Sequence, residues 1–350
     1  MNKVVPIGLP KRPGLAVRQA LLLENFALNR RDSGDVYWLK ENAELLNILR
    51  NSGAGLLPDA LEVYATFYDT LEERLQFFPQ YYRFLLSIGL DLEDLGMTGD
   101  TGARLCQRVA DSDYAAAELS DLQRAEARHL LARRGQAGSD PQLNGRLHDF
   151  INTPQTFALP NKKAAYELTH IVFYLSDYGR VVPDLAPEAM ISLEFAGLLA
   201  WLDQDVDLLA EVCIAIRFAG GTPGRIWEDW LSSESAGFVL LPDSPDGGQD
   251  AYHEYLVTGW WASQTGAAPF PGIPDRRGLS ICRVAAARGP LRSISEYMFR
   301  LGDARSSDWG QMRGLLQSVL PEDEHRILEG AAASSDAFDE FFHGFARAGN

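Results

Sequence analysis

Glu167, His170, Tyr174 and Asp177 stand at offsets of zero, three, seven and ten along the stretch from Tyr166 to Tyr178. In a helix these steps return to one face. Leu168, Ile171, Val172 and Leu175 supply an apolar flank, so the polar stripe is costly to bury unless it finds partners. A carboxylate and an imidazole so placed suit metal ligation or proton transfer. A second histidine, His253, follows Tyr252 at the start of an apolar aromatic stretch that includes Tyr255, Trp260 and Trp261. The dipole at a helix N-terminus favours neutral imidazole, the form that ligates metals or accepts protons. His170, Asp177 and His253 are therefore expected to share one cavity as ligands or an acid/base set. Glu167, Tyr174 and Tyr252 would contact the substrate, a small molecule or peptide. The residues leave the metal open: a single zinc, a di-iron site, or none.

The di-metal alternative comes from a repeated spacing. Glu126/His129, Glu167/His170, Glu322/His325 and Glu340/His343 are all Glu-x-x-His pairs, the unit of carboxylate-bridged di-metal helical bundles. Only Glu167/His170, and less clearly Glu340/His343, lie in apolar surroundings. His129 stands among Arg124, Arg128, Arg133 and Arg134, which look like a solvated, salt-bridged face. The chain has no phosphate-binding Gly-rich loop ending in Lys-Ser/Thr, no GxGxxG, no HExxH and no GxSxG. Cys106, Cys213 and Cys282 are too far apart for a zinc ribbon or a disulfide framework, and fit a reducing compartment.

A net charge of −16 over 350 residues argues against a nucleic-acid binder, because phosphate contacts come from clustered Lys and Arg. Residues 1–34 depart from this: Lys3, Lys11, Arg12, Arg18, Arg30 and Arg31 face only Glu24 and Asp32, a balance of +4 that leaves −20 for the rest. A solvated basic face on the first helix explains it most simply. No apolar run approaches a membrane span, and the protein is expected to be cytoplasmic.

The elements that must position these residues are helical. Apolar periodicity marks helices over 15–30, 36–49 and 58–76, and a long charged helix over 113–134. Pro79 divides the aromatic stretch from Phe77 to Leu86, which suits a helix contact or a surface for a protein partner. Asp91, Glu93 and Asp94 look like an acidic helix end, although the run resembles the proton-donating motif of class II terpene cyclases. Residues 141–162 have no clear period and are expected to be a loop. Asn161 should cap the helix ending near Tyr178, with Gly179 as its stop. Further helices are expected at about 187–203, 205–219, 223–232, 250–265, 278–289, 306–319, 321–332 and 335–347. Phe238–Leu241 is the only β-like run.

Two segments, Phe77-Phe78-Pro79-Gln80-Tyr81-Tyr82-Arg83-Phe84-Leu85-Leu86-Ser87 and Tyr166 through Arg180, resemble an uncharacterised helical family of alphaproteobacteria. More remotely, Leu168-Thr169-His170, Asp177-Tyr178-Gly179 and Tyr252-His253 are similar to actinobacterial helical proteins of the α/α-toroid class. That class includes lanthionine cyclases and protein prenyltransferases, whose zinc ligands are Cys and His; no matching Cys–His pair occurs here. The expectation is an all-α protein of helical hairpins in a toroid or array. It divides into a leader and first helix (1–34), an N-terminal helical region (35–140) and a larger C-terminal domain (141–350). Its function is expected to be small-molecule or peptide modification in a His/Asp cavity. The alternatives are a scaffold that binds a protein partner at Phe77–Leu86 and a di-metal oxidase.

Overall fold

A computed structural model describes residues 13–242, 250–276, 278–283 and 288–348. Lys3, Lys11, Arg12 and most of the Gly- and Pro-rich run before His253 lie outside the described residues. The protein is all-α, apart from one two-stranded ribbon. The N-terminal helices are α1 (Leu15–Leu28), α2 (Val36–Asn51), α3 (Ala65–Asp69), α4 (Leu71–Phe77), α5 (Tyr82–Asp94), α6 (Thr101–Asp111) and α7 (Asp121–Ala132). Next come α8 (Pro141–Ile151), α9 (Pro154–Phe157), α10 (Lys162–Leu175), α11 (Pro187–Asp203), α12 (Val206–Phe218) and α13 (Arg225–Ala236). The strand β1 (Phe238–Leu241) precedes α14 (Tyr252–Thr265) and pairs antiparallel with β2 (Ser280–Arg283), Phe238 facing Arg283. The chain then forms α15 (Leu291–Leu301), α16 (Trp309–Val319), α17 (Glu322–Ser334) and α18 (Phe338–Ala346). Among the described residues no helix is long and apolar enough to cross a membrane.

Side-chain caps set several starts: Asp35, Ser120, Asp140, Asn161 and Asp205 each accept a first-turn N–H. The Asn161 cap falls where the sequence places it, whereas the helix ends at Leu175, three residues before the expected Tyr178. At that stop Asp177, Tyr178 and Gly179 all take left-handed backbone, with φ of 46, 53 and 81°. A Cβ on Gly179 would meet the Phe218 ring at 2.4 Å, so both conformation and packing require glycine there. α12 is apolar nearly all round, which buries it at the centre of the fold. It packs against α10, α11, α13 and α14, while α2 reaches α14 and α7 reaches α10. One hydrophobic core runs without a break from Leu22 to Ala346.

The structure corrects several expected elements. Residues 141–162 form α8 and α9 instead of a loop. The helix read over 58–76 is broken, and Thr70 turns its hydroxyl onto the Phe67 carbonyl at the break. The 113–134 helix is shortened to α7 behind a 3-10 turn at Tyr114–Ala117. Part of 278–289 is β2, because Ser280–Arg283 completes the ribbon with β1. α15 was not expected at all. The arginines around His129 are not a uniformly solvated face: Arg124 is 36% exposed, but others turn toward buried carboxylates. Arg133, 5% exposed, holds Asp91 and Asp94 at 2.8 Å each, and Arg134 holds Glu93 and Asp94. Arg30 bridges Glu41 and Asp250 in the interior. In the aromatic stretch Phe77 is 76% exposed, whereas Tyr82, Leu85 and Leu86 are buried.

Candidate functional site

Asp207 and Glu211 stand four residues apart on one face of α12, in a run otherwise made of Leu, Ala, Val, Ile and Cys. Two carboxylates in such a helix must be paired or neutralised. Both partners are helices packed directly against it. α14 brings His253 in its first turn, and its Nδ1 lies 2.9 Å from Asp207 Oδ1. α10 brings Tyr166, whose hydroxyl donates to Asp207 Oδ2 at 2.7 Å. The Thr169 hydroxyl lies 2.6 Å from Glu211 Oε2. His170 Nδ1 is 2.8 Å from the Tyr166 carbonyl. A carbonyl only accepts, so Nδ1 carries a hydrogen and donates it. His170 Nδ1 is also 3.5 Å from Glu211. Behind His253, Glu44 of α2 lies 3.9 Å from its Nε2 and accepts a bond from the Tyr252 hydroxyl at 2.9 Å.

The electrostatics follow from this geometry. Burial pulls the His253 imidazole down, but the Asp207 hydrogen bond and the charges of Asp207, Glu44 and Glu211 outweigh it. The result is a pKa raised to about 10. Burial raises Asp207, but the His253 bond and charge and the Tyr166 hydroxyl hold it below its ordinary value. Glu211 is pushed up by burial and by the neighbouring Asp207 charge, against the pull of the histidines. Asp207 is thus paired with a protonated His253, and the Glu211 carboxylate beside them is held less readily ionised. Asp207, Glu211 and His253 each offer one ligand atom, and all three atoms lie within 4.8 Å of one another.

A cavity of about 360 Å³ opens beside the cluster. Glu44, His170, Glu211, His253, Arg83, Glu126 and His129 are the charged and imidazole groups in its lining. Phe173, Tyr174, Tyr178 and Trp260 form an aromatic wall. Arg83 is already engaged by Glu118 and Glu126. His129, with its side chain 9% exposed, stacks on Tyr174 at 5.7 Å. Burial, then Arg133, Arg50 and Arg180, drive its pKa down to about 3, so the ring stays neutral.

Of the residues singled out in the sequence, His170, Tyr174 and His253 line this cavity, and Tyr252 supports it through Glu44. Asp177 lies elsewhere. The left-handed turn carries it to 3.8 Å from His129 Nε2, where it lines a separate cavity with Arg128, Arg133 and Asn144. Glu167 lies 3.8 Å from Lys163 and does not line the cavity. The four Glu-x-x-His pairs do not converge. Glu126 and His129 reach the cavity, His325 pairs with Glu329 on α17, and none of the four pairs belongs to the metal-distance group. Sequence reasoning missed Asp207, Glu211, Thr169, Tyr166 and Glu44. The available signal was Asp-x-x-x-Glu inside the otherwise apolar run Val206–Ile216, the same helical-face rule that selected Glu167 and His170.

The chain belongs to the family defined by the domain of unknown function DUF6902, whose profile matches residues 1–348. No curated protein and no solved structure matches it.

Proposed function

We propose that the chain binds one divalent cation at Asp207, Glu211 and His253 and uses it on a small molecule held in the adjoining cavity. The convergence of these three ligand atoms within 4.8 Å, from two packed helices and beside the cavity, carries the reading. Two carboxylates and an imidazole suit zinc, iron(II) or manganese. Three protein ligands leave coordination positions for water and substrate, as catalytic sites require. Tyr166 and Thr169 fix the two carboxylates through their outer oxygens, a support that metal ligands commonly need. His170, with Nδ1 committed to a carbonyl, lines the cavity and would serve proton transfer through its other ring nitrogen. The cation would polarise a substrate oxygen or acidify water there.

Metal analysis of the purified protein, followed by titration of the chelator-treated protein with zinc, manganese and iron(II), tests this. About one equivalent is expected. Asp207→Asn and His253→Ala should each weaken binding by ~10–100-fold or more, since even supporting partners of ligands cost that much. Asp177→Asn should leave it unchanged. The reading fails if no divalent ion binds, or if Asp207→Asn binds as tightly as the natural chain.

A further inference from the structure

The cavity walls carry chemistry that the metal cluster does not use. Phe173 and Trp260 meet at 5.0 Å between ring centroids, Tyr178 and Trp260 at 5.9 Å, and Tyr174 and Tyr178 at 6.1 Å. His129 closes this set against Tyr174 and Tyr178. The Tyr174 and Tyr178 hydroxyls have no hydrogen-bond partner among the described residues, although both side chains line the cavity. Tyr178 reaches it from the left-handed turn at Asp177–Gly179. Strained backbone in a bulky residue persists where the surroundings fix it, and such positions gather at ligand sites.

The charged groups point the same way. Glu44, Glu126 and Glu211 line the cavity. Among its lining cations, Arg83 is committed to Glu118 and Glu126, and His253 to Asp207. Glu118 and Glu126 share the single charge of Arg83, which leaves a negative excess, and Glu44, 3.7 Å from Lys40, also lines the space. Aromatic faces present negative quadrupoles, and together with carboxylates they recognise substituted ammonium groups. Anions meet the opposite field. The volume of about 360 Å³ is at the small end for ligand sites.

We infer that the substrate is a small organic cation, an amine or quaternary ammonium compound, whose charged head packs against Tyr174, Tyr178 and Trp260 opposite the Glu44 and Glu126 carboxylates. This rests on the cavity being the substrate site, but not on which metal the cluster holds.

Calorimetric titration of the full chain with choline and with its neutral isostere 3,3-dimethylbutan-1-ol tests it. Choline should bind roughly tenfold more tightly. Tyr174→Leu should remove about that preference and Tyr174→Phe should keep it, with circular dichroism confirming that both variants fold. Glu126→Gln, which preserves volume, should weaken choline several-fold and leave the alcohol unchanged. Equal affinity for the two probes, no detectable choline binding, or an unaltered preference in both Tyr174→Leu and Glu126→Gln would overturn the inference. The two proposals fail separately. Metal binding without choline selectivity removes this one alone, and choline selectivity that persists in metal-free protein and in Asp207→Asn supports it whatever the metal analysis gives.

Discussion

His253 Nδ1 sits 2.9 Å from Asp207 Oδ1, joining the first turn of one helix to the first turn of another. Asp207 gains a cation in a largely apolar setting, and His253 gains enough negative surroundings to hold its proton up to about pH 10. A group that holds a proton this firmly must release it before it can ligate a metal.

Metal affinity should therefore depend on pH. Below about pH 10 each bound cation displaces one proton from His253. The apparent association constant should then rise about tenfold per pH unit between pH 6.5 and 8.5. Competition titrations in a non-coordinating buffer at three pH values measure the slope. A flat profile would show that His253 is not a ligand.

His129 sets a second pH dependence with the opposite sense. Its folded pKa is depressed from 6.5 to about 3 by burial and by the charges of Arg133, Arg50 and Arg180. The unfolded chain takes up this proton first, so stability is complete above about pH 6.5 and is lost as the pH falls toward 3. His129→Phe keeps a ring beside Tyr174 and removes the titration. Urea unfolding at pH 7, 5.5 and 4.5 should show a shallower loss in this variant than in the natural chain. Parallel curves would mean that the imidazole is not held neutral.

Arg133 and Asp91 form the most deeply placed ion pair near the site, 2.8 Å apart with Asp91 fully buried. Arg133→Leu leaves Asp91 with Arg50 at 3.9 Å as its remaining cation. It should cost about 3 kcal/mol, the usual penalty for stranding a buried charge. Asp91→Leu together with Arg133→Leu should recover much of this, as measured by denaturant midpoints in a double-mutant cycle. If the double variant were no more stable than Arg133→Leu, the loss would come from something other than the stranded carboxylate.

The acidic run at Asp91–Asp94 shows how far local pattern carries. Its place at a helix end was legible, because α5 ends at Asp94. Its burial was not, because the arginines that permit it are Arg133 and Arg134, just past the end of α7, and Arg50 of α2. The same limit explains His129, which neighbouring arginines made look solvated, while the packing of α7 on α10 encloses it. For Asp177 the helical-face rule was sound, but the helix stops at Leu175. Two residues beyond that end, the left-handed turn swings the carboxylate away from His170 and toward His129.

By itself the sequence determined the helical class, the Asn161 cap and the glycine of the left-handed turn at Gly179, since capping, backbone freedom and apolar periodicity act within a few residues. Only the tertiary structure decided which carboxylates meet the histidines. Asp207 and Glu211 meet His253 and His170 because α12 packs against both α10 and α14. A buried helix must find partners for its charges on whichever neighbours the packing supplies, and helix spacing within one segment does not encode that choice.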